Sequence, residues 1–562
     1  MNYYYPEGMP RHLSYPPVTV PQFLTSAVHL YGDRVAVADG EESFTYTQLL
    51  SHVKAMAAFL QEKGVGPGST VGLHLPNTLH FYVAYYGALF TGATVTAINP
   101  LQPVSGLVTQ VSDAGAHVII SHPAHVDRVV EAVPQLDVQT VIITPASWSG
   151  PASDEEIADA QTLASDPLYT LAEEIYRHPA EDFEPTKVSP DSVAHLAYTG
   201  GTTGKSKGVR VLHRNLVANV CQVSAWRLHS TLDFDGELIH LNSIPGVPSP
   251  LAEPGVGVTV QVPPLFHAQG LITSNMFIIG GITIVLSGRF KPEVFVEIAQ
   301  KWEATYVSGN PPMYLALAQY CIPRGITLPT VLMAVSGAAP LDSNALDRIA
   351  KIMPNAVVGE GYGMTEATCH AMSTPGFLDP SVPVGTVGVP GPDTEVEVRA
   401  PDGLTVLGDG EEGELWIRGP QITAGYANAP EKTAEQFVDG WLRTGDIASR
   451  DERGFFRIHD RAKDMIIYKG YNVYPRELED VASKHPGVAK IAVVGKPDAE
   501  AGEIPVAFVI RSEGSDLSER ELIDFVAADV LPYQKIRHVY FATELPTSAA
   551  GKILKTELRE RL

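Results

Sequence analysis

From Phe44 onward the apolar positions fall into alternating periods. Leu49, Leu50, Val53, Ala57 and Leu60 recur at helical spacing and stop at Lys63-Gly64, which predicts a helix closed by glycine. A Gly/Pro turn over 64–68 leads to a predicted strand at 71–75. Pro76-Asn77 then opens a second helix rich in aromatic residues, and a strand is predicted at 93–98. Helix, strand, helix, strand is the rhythm of an α/β domain built on a largely parallel sheet. The most apolar stretch, 271–286, falls short of the roughly 20 residues that a membrane span needs. Gly280-Gly281 interrupts it, so it reads as buried helix, turn and buried strand.

Elsewhere the pattern weakens. Residues 144–190 are rich in Ser, Ala, Pro, Asp and Glu and read as a surface connection, and the Pro/Gly-rich stretch 242–258 reads as a loop or small hairpin. Beyond about Ile447 the texture changes. Short strands are predicted at 454–458, around Val473, at 491–495 and at 506–510, with helices at 476–484 and 518–528. A chain of 562 residues exceeds what one core usually serves. The expected fold is α/β: a large N-terminal domain of several subdomains with mainly parallel sheets over 1–460, and a small α+β C-terminal domain over 461–562.

Composition narrows the functions. A hydrophobic content of 44% with 19% charged residues is ordinary for a globular protein, and the formal charge of −24 repels nucleic acid and anionic membranes over most of the surface. Cys221, Cys321 and Cys369 lie far apart without metal-ligand spacing, so neither disulfides nor structural zinc are expected. The N-terminus has no apolar run behind a basic start, so no signal peptide is expected; the expected location is the cytoplasm.

Against this acidic background, Tyr198-Thr-Gly-Gly-Thr-Thr-Gly-Lys-Ser-Lys-Gly208 follows the apolar run 193–197. Its glycines and threonines supply backbone N–H and hydroxyl donors, and Lys205, Lys207, Arg210 and Arg214 supply charge, a set suited to a polyphosphate. The P-loop pattern fails in register, because Thr199 stands where its first glycine belongs.

This loop resembles the Y-T-[SG]-G-T-T-G-x-P-K-G signature of the adenylate-forming superfamily, which contains acyl-CoA synthetases, beetle luciferase and the adenylation domains of peptide synthetases. The Tyr-Thr-Gly-Gly form is most similar to fatty acyl-CoA ligases, with Ser206 departing from the usual proline. The resemblance runs from about Phe23 to Lys555, with the motifs in order. It implies that Thr199, Gly200, Gly201, Thr202, Thr203, Gly204 and Lys207 hold ATP phosphates. Pro264-Leu-Phe-His267 resembles the motif whose last residue borders the acyl pocket, and no nearby Asp is present to hold an amino-acid substrate. Gly337, Ala338 and Ala339 of Ser336-Gly-Ala-Ala-Pro340, with Gly361, Tyr362, Gly363 and Met364, resemble the nucleotide floor. There Tyr362 packs on adenine, Thr365 meets the α-phosphate and Glu366 binds magnesium. Asp446 of Trp441-Leu-Arg-Thr-Gly-Asp446 matches the ribose-binding acid, Arg461 a ribose or phosphate contact, and Lys463 the hinge of a mobile lid. Asp464 reads as part of a solvated turn. Lys469 and Gly470 match the segment lining the thiol tunnel, and Lys552 matches the catalytic lysine of the terminal loop.

The resemblance implies ATP-dependent activation of a carboxylic acid as acyl-AMP, then transfer to coenzyme A, with Mg2+ assisting. The acyl pocket is expected from 266–277, 307–312 and 336–339, apolar and without fixed charge, which favours a fatty or other bulky hydrophobic monocarboxylate. A carrier-protein thiol or an amine as acceptor, survival of one half-reaction only, and a homodimeric assembly stay open.

Overall fold

The computed structural model describes residues 3–198, 206–247, 253–337, 341, 343–377, 379, 381–469, 471–498, 500–547 and 553–562. Two large sheets form its body. The first, seven-stranded, runs Tyr169–Leu171, Thr140–Ile143, Ala116–Ser121, Thr70–His74, Thr94–Ala97, Val193–Tyr198, Gly208–Leu212, and only its last pair is antiparallel. The second, nine-stranded, has six parallel central strands: Val357–Tyr362, Met333–Ser336, Tyr306–Gly309, Val258–Gln261, Thr283–Leu286 and Val35–Asp39. Short antiparallel strands close both of its edges.

The largest apolar cluster joins Val71 and Leu73 of the first sheet to Ile284 and Met333 of the second through Phe81, Tyr86 and Phe277. The last three sit on the helices Leu79–Phe90 and Ala268–Ile279, the first read in sequence as aromatic-rich and the second as the opening of the most apolar stretch. A helix apolar on every side needs cover all round; every residue of Leu79–Phe90 is buried. The helix Tyr46–Glu62 opens on a reciprocal cap, Thr45 and Gln48, and buries Leu49, Val53, Met56, Ala57 and Leu60.

The segment 144–190 departs from its expected surface character. It holds the helix Asp154–Leu163, the edge strand Tyr169–Leu171 and the helix Ala172–Tyr176, and it buries Ala160, Tyr169 and Ile175. The cue was local: Ser153 and Glu156 form a capping box, which the polar composition concealed.

A third sheet is made of Glu395–Arg399, Gly413–Arg418, Trp441–Arg450, Phe437–Val438 and Phe456–Arg461. The change of texture near Ile447 therefore falls inside this sheet. A fourth sheet begins only at Ile466 and has its own apolar cluster, including Ile466, Leu478, Val493, Val509 and Val526. Here the helix Pro475–Ala482 packs on the long strand Val488–Asp498, which pairs with Gly502–Arg511, and the helix Glu519–Asp529 packs on Pro475–Ala482 and on the strand His538–Phe541. The N-terminal segment straps the third sheet. Tyr4 stacks on Phe455 at 4.8 Å and its N–H donates to the Arg453 carbonyl, while Leu13 N–H and the Tyr15 hydroxyl donate to Asp393. All three cysteines are free, two buried and Cys369 partly so. Among the described residues no helix is long and apolar enough to cross a membrane.

Candidate nucleotide and acyl site

In open α/β sheets, ligands lie beyond the carboxyl ends of parallel strands. Met333–Ser336 and Val357–Tyr362 end side by side there, with Ser336 paired to Glu360. Gly337 follows the first strand, and the Gly363-Met364 turn follows the second, whose last residues are Gly361 and Tyr362. At Gly363 an added Cβ would fall 1.5 Å from the Cys369 carbonyl oxygen, so only glycine fits the turn that presents Met364 and Thr365. Tyr362 donates its hydroxyl to Asp446 Oδ2, and Arg461 Nε lies 3.2 Å from Asp446 Oδ1. Asp446 and Arg461 are cross-strand partners, so the ladder itself sets this pair. Burial, then the Asp446 carboxylate, raise the Tyr362 pKa well above its ordinary value and keep it a donor. Asp446 is only 6% exposed. Each of its oxygens is met by a donor that a ribose diol would replace or share.

Glu366 sits in the short 3-10 turn Thr365–Ala367 and is buried. Its backbone carbonyl accepts from both the N–H and the hydroxyl of Thr423, and its Oε1 accepts from the Tyr426 hydroxyl at 2.7 Å. Lys207 approaches from the other side, its ammonium 5.3 Å from the Tyr426 ring centre. Among the described residues no three His, Cys, Asp or Glu side chains form a self-sufficient metal site. A lone carboxylate fits a magnesium ion that arrives on phosphate oxygens, since Mg2+ is usually held by one or two carboxylates plus substrate phosphates.

On the acyl side, His267 caps the helix Ala268–Ile279, its Nδ1 accepting from Gln269 N–H at 3.4 Å, and burial pulls its pKa down. His267, Phe266, Leu271 and Ile272 line a recess of about 380 Å³, open solvent included. Among the described residues its wall includes none of 307–312 or 336–337, and Ala338 and Ala339 lie outside them; Gln269, next to Ala268 of the wall, donates Nε2 to Ser308 Oγ at 3.0 Å, and Gly337 N–H donates to the Gly309 carbonyl. Much of the rest of the wall comes from the first sheet, including Val95, Ala97, His195 and Val211, and Thr368 contributes as well. His195 is buried and neutral, its pKa pushed down to about 3 by burial and then by His213, and its Nε2 meets the Tyr85 hydroxyl at 2.8 Å.

The described residues of the expected lid side are placed as well. Lys463 lies two residues beyond Arg461, and burial, then the Arg461 charge, lower its pKa. Asp464 is not part of a solvated turn: it is 8% exposed and pairs with Arg559 at 2.8 Å. Lys469 takes a left-handed backbone (φ 50°), its N–H donating to the Ala501 carbonyl. Thr547 bridges Ile553, and Leu554 N–H donates to the Pro546 carbonyl, so the base of the terminal loop is closed. Thr199, Gly200, Gly201, Thr202, Thr203, Gly204, Ala338, Ala339, Gly470 and Lys552 lie outside the described residues.

Three residues of the site escaped the motif reading. Tyr426 and His195 carry no pattern of their own, since a lone Tyr in a loop or His on a strand reads as core. Glu360 stands immediately before the Gly361 motif. Burial pushes its pKa up to about 7, against Leu341 N–H, Arg476 and Arg457, which favour the anion.

The family described as "AMP-binding enzyme" matches residues 24–427, and "AMP-binding enzyme C-terminal domain" matches 477–552. A long-chain-fatty-acid–CoA ligase of Bacillus subtilis is 31% identical, over 99% of this chain and 97% of that protein. A 4-coumarate–CoA ligase 3 of Oryza sativa subsp. japonica is 34% identical, over 97% of this chain and 92% of that protein. Among solved structures, the amide bond synthetase McbA of Marinactinospora thermotolerans superposes with a TM-score of 0.79 at 26% identity, covering 97% of this chain and 100% of that one.

Proposed function

The chain belongs to the family of AMP-binding enzymes, and on that premise we propose that it joins a hydrophobic carboxylic acid to coenzyme A in two steps at one site. It is an AMP-forming acid–thiol ligase that uses ATP and CoA. The observation that carries the site assignment is the convergence of Tyr362, Asp446, Arg461 and Glu366 at the carboxyl ends of the central strands, beside an apolar recess.

In the first step the substrate carboxylate oxygen attacks the α-phosphorus of ATP and pyrophosphate leaves. Tyr362 packs on adenine, Asp446 and Arg461 hold the ribose, and Thr365 meets the α-phosphate. The loop 199–207 and Lys552 offset charge on the phosphate oxygens, so catalysis is mainly positioning and electrostatics. Glu366 would hold a magnesium ion, which would supply further charge neutralisation when bound. In the second step the CoA thiol loses its proton and attacks the acyl carbonyl, and AMP leaves. Residues 1–460 act as the body and 461–562 as a lid turning about Lys463, which withdraws Lys552 and brings Lys469 and Gly470 to the thiol path.

The recess has no fixed charge in its wall, and its one imidazole pair is kept neutral by burial. That favours a fatty or aryl monocarboxylate over a diacid or an amino acid. A carrier-protein thiol or an amine is the alternative acceptor, motivated by the amide bond synthetase. A panel of carboxylic acids, assayed separately for pyrophosphate release and for CoA-thioester formation, tests both levels. Pyrophosphate release without thioester, together with amide formation from added amines, would sink the CoA reading; no pyrophosphate release from any acid would sink the adenylation reading.

A further inference from the structure

We infer that Tyr426 is a positioning residue of the nucleotide site. It holds the Glu366 carboxylate in the orientation that receives a phosphate-bound divalent cation, and it ties that carboxylate to the strand leaving the phosphate loop. The inference rests on the reading of Glu366 as the metal-binding acid.

The backbone around Tyr426 is a staple between two halves of the site. On one side Ala424 N–H donates to the Arg210 carbonyl at 3.0 Å, Arg210 N–H to the Gly425 carbonyl at 2.8 Å, and Ala427 N–H to the Gly208 carbonyl at 2.8 Å. On the other side Thr423 grips the Glu366 carbonyl twice, at 3.0 Å through its N–H and 2.9 Å through its hydroxyl. Gly425 (φ 85°) lets the segment pass Thr433, whose Oγ1 would lie 2.9 Å and Cγ2 2.2 Å from an added Cβ. Thr433 Oγ1 in turn accepts from Tyr426 N–H at 3.0 Å, so the tyrosine is fixed before its side chain is considered.

The side chain then joins three groups. Its hydroxyl lies 2.7 Å from Glu366 Oε1 and 2.7 Å from Gln436 Oε1. A phenol has one proton, so it donates to the charged carboxylate, and the Gln436 amide presents its NH2 to the phenol oxygen instead. Its ring lies under the Lys207 ammonium. With Tyr426 7% exposed and Glu366 7% exposed, little water is available to replace that donor. One carboxylate oxygen is thereby occupied and the other is left for a cation, the usual way in which an outer partner orients a metal ligand. Tyr426 touches no reacting atom; it acts through Glu366.

Tyr426→Phe keeps the ring under Lys207 and removes only the hydroxyl. Full-length protein is titrated with Mn2+, as a spectroscopic stand-in for Mg2+, in the presence of a non-hydrolysable ATP analogue, and free Mn2+ is read by electron paramagnetic resonance. The expected result is an affinity for Mn2+ lower by about three- to tenfold, with analogue binding in EDTA unchanged within about twofold. Gln436→Ala should shift Mn2+ affinity in the same direction by less. Parent-like Mn2+ affinity in Tyr426→Phe overturns the inference, as does an equal loss of analogue binding in EDTA. Glu366→Gln is measured alongside. If it binds Mn2+ as the parent does, the metal-acid reading falls and takes the inference with it. If Glu366→Gln loses affinity and Tyr426→Phe does not, the inference alone falls.

Discussion

Replacing Glu360 by Gln should make the protein more stable, and only above mildly acidic pH. Glu360 is 7% exposed, and its Oε1 accepts from Leu341 N–H at 2.8 Å, a bond that a glutamine carbonyl can keep. Burial lifts its pKa from an ordinary 4.5 to about 7. At about 1.4 kcal/mol per pH unit, that separates its two protonation states by about 3 kcal/mol. Below about pH 4.5 the acid is protonated in both folded and unfolded chains, so parent and variant should match. As pH rises towards 7, the folded parent still holds a proton that the unfolded chain has released, and the parent loses stability relative to the variant. Above about 7 the gap should level off near 3 kcal/mol, or roughly 2–3 °C in Tm for a chain this long. Paired thermal scans at pH 5, 6, 7 and 8 read the difference directly. A gap independent of pH, or a variant less stable at pH 8, would show that Glu360 is ionised in the fold and stabilised by Arg476 and Arg457.

Lys552→Ala should cripple pyrophosphate release while leaving thioester formation from supplied acyl-AMP largely intact; equal losses in both would contradict a lysine serving only the first step. Leu271 walls the recess and, on its inner side, stands among the packed side chains Tyr82, Tyr85 and Asn275. Leu271→Ala should therefore raise kcat/KM for the longest acids relative to short ones, and an unchanged chain-length profile would place the acyl chain elsewhere. Arg559→Met should destabilise the C-terminal unit by about 1–2 kcal/mol, because it leaves Asp464 desolvated without its partner. Adding Asp464→Asn should recover part of that loss, as read by limited proteolysis or thermal unfolding.

The motifs that carry chemistry were legible because each needs a particular backbone. Gly363 is demanded by the Cys369 carbonyl beside it, and Asp446 and Arg461 are register partners on adjacent strands, so spacing in sequence encodes proximity in space. Helices apolar on every face were equally plain. What stayed hidden depends on contacts between distant segments. Tyr426 reaches Glu366 across 60 residues and His195 reaches Tyr85 across 110, and neither relation leaves a period or a pattern in the chain. Asp464 looked solvated because its partner, Arg559, lies 95 residues away. The helix at 154–163 was missed for another reason: its few apolar positions are outweighed by polar ones, and only its cap announces it.

The strap at the start of the chain has a practical consequence. Leu13 and Tyr15 are fastened to Asp393, beside the sheet that carries Asp446, while the final helix is fastened through Arg559 to Asp464, just past Lys463. Ser14 and Glu560 are exposed, one near each of these attachments, and so flank Lys463, the proposed pivot. A fluorescent donor and acceptor attached at those two positions form a ruler for the angle between them. The chain's own sulfur chemistry helps: burial pushes the thiols of Cys221 and Cys369 up to about 12 and raises that of Cys321, which leaves little thiolate to compete for a maleimide dye. Cysteines introduced at 14 and 560 would therefore take the label selectively, and transfer efficiency followed after mixing with ATP, acid and CoA would time the proposed swings about Lys463 within a single turnover.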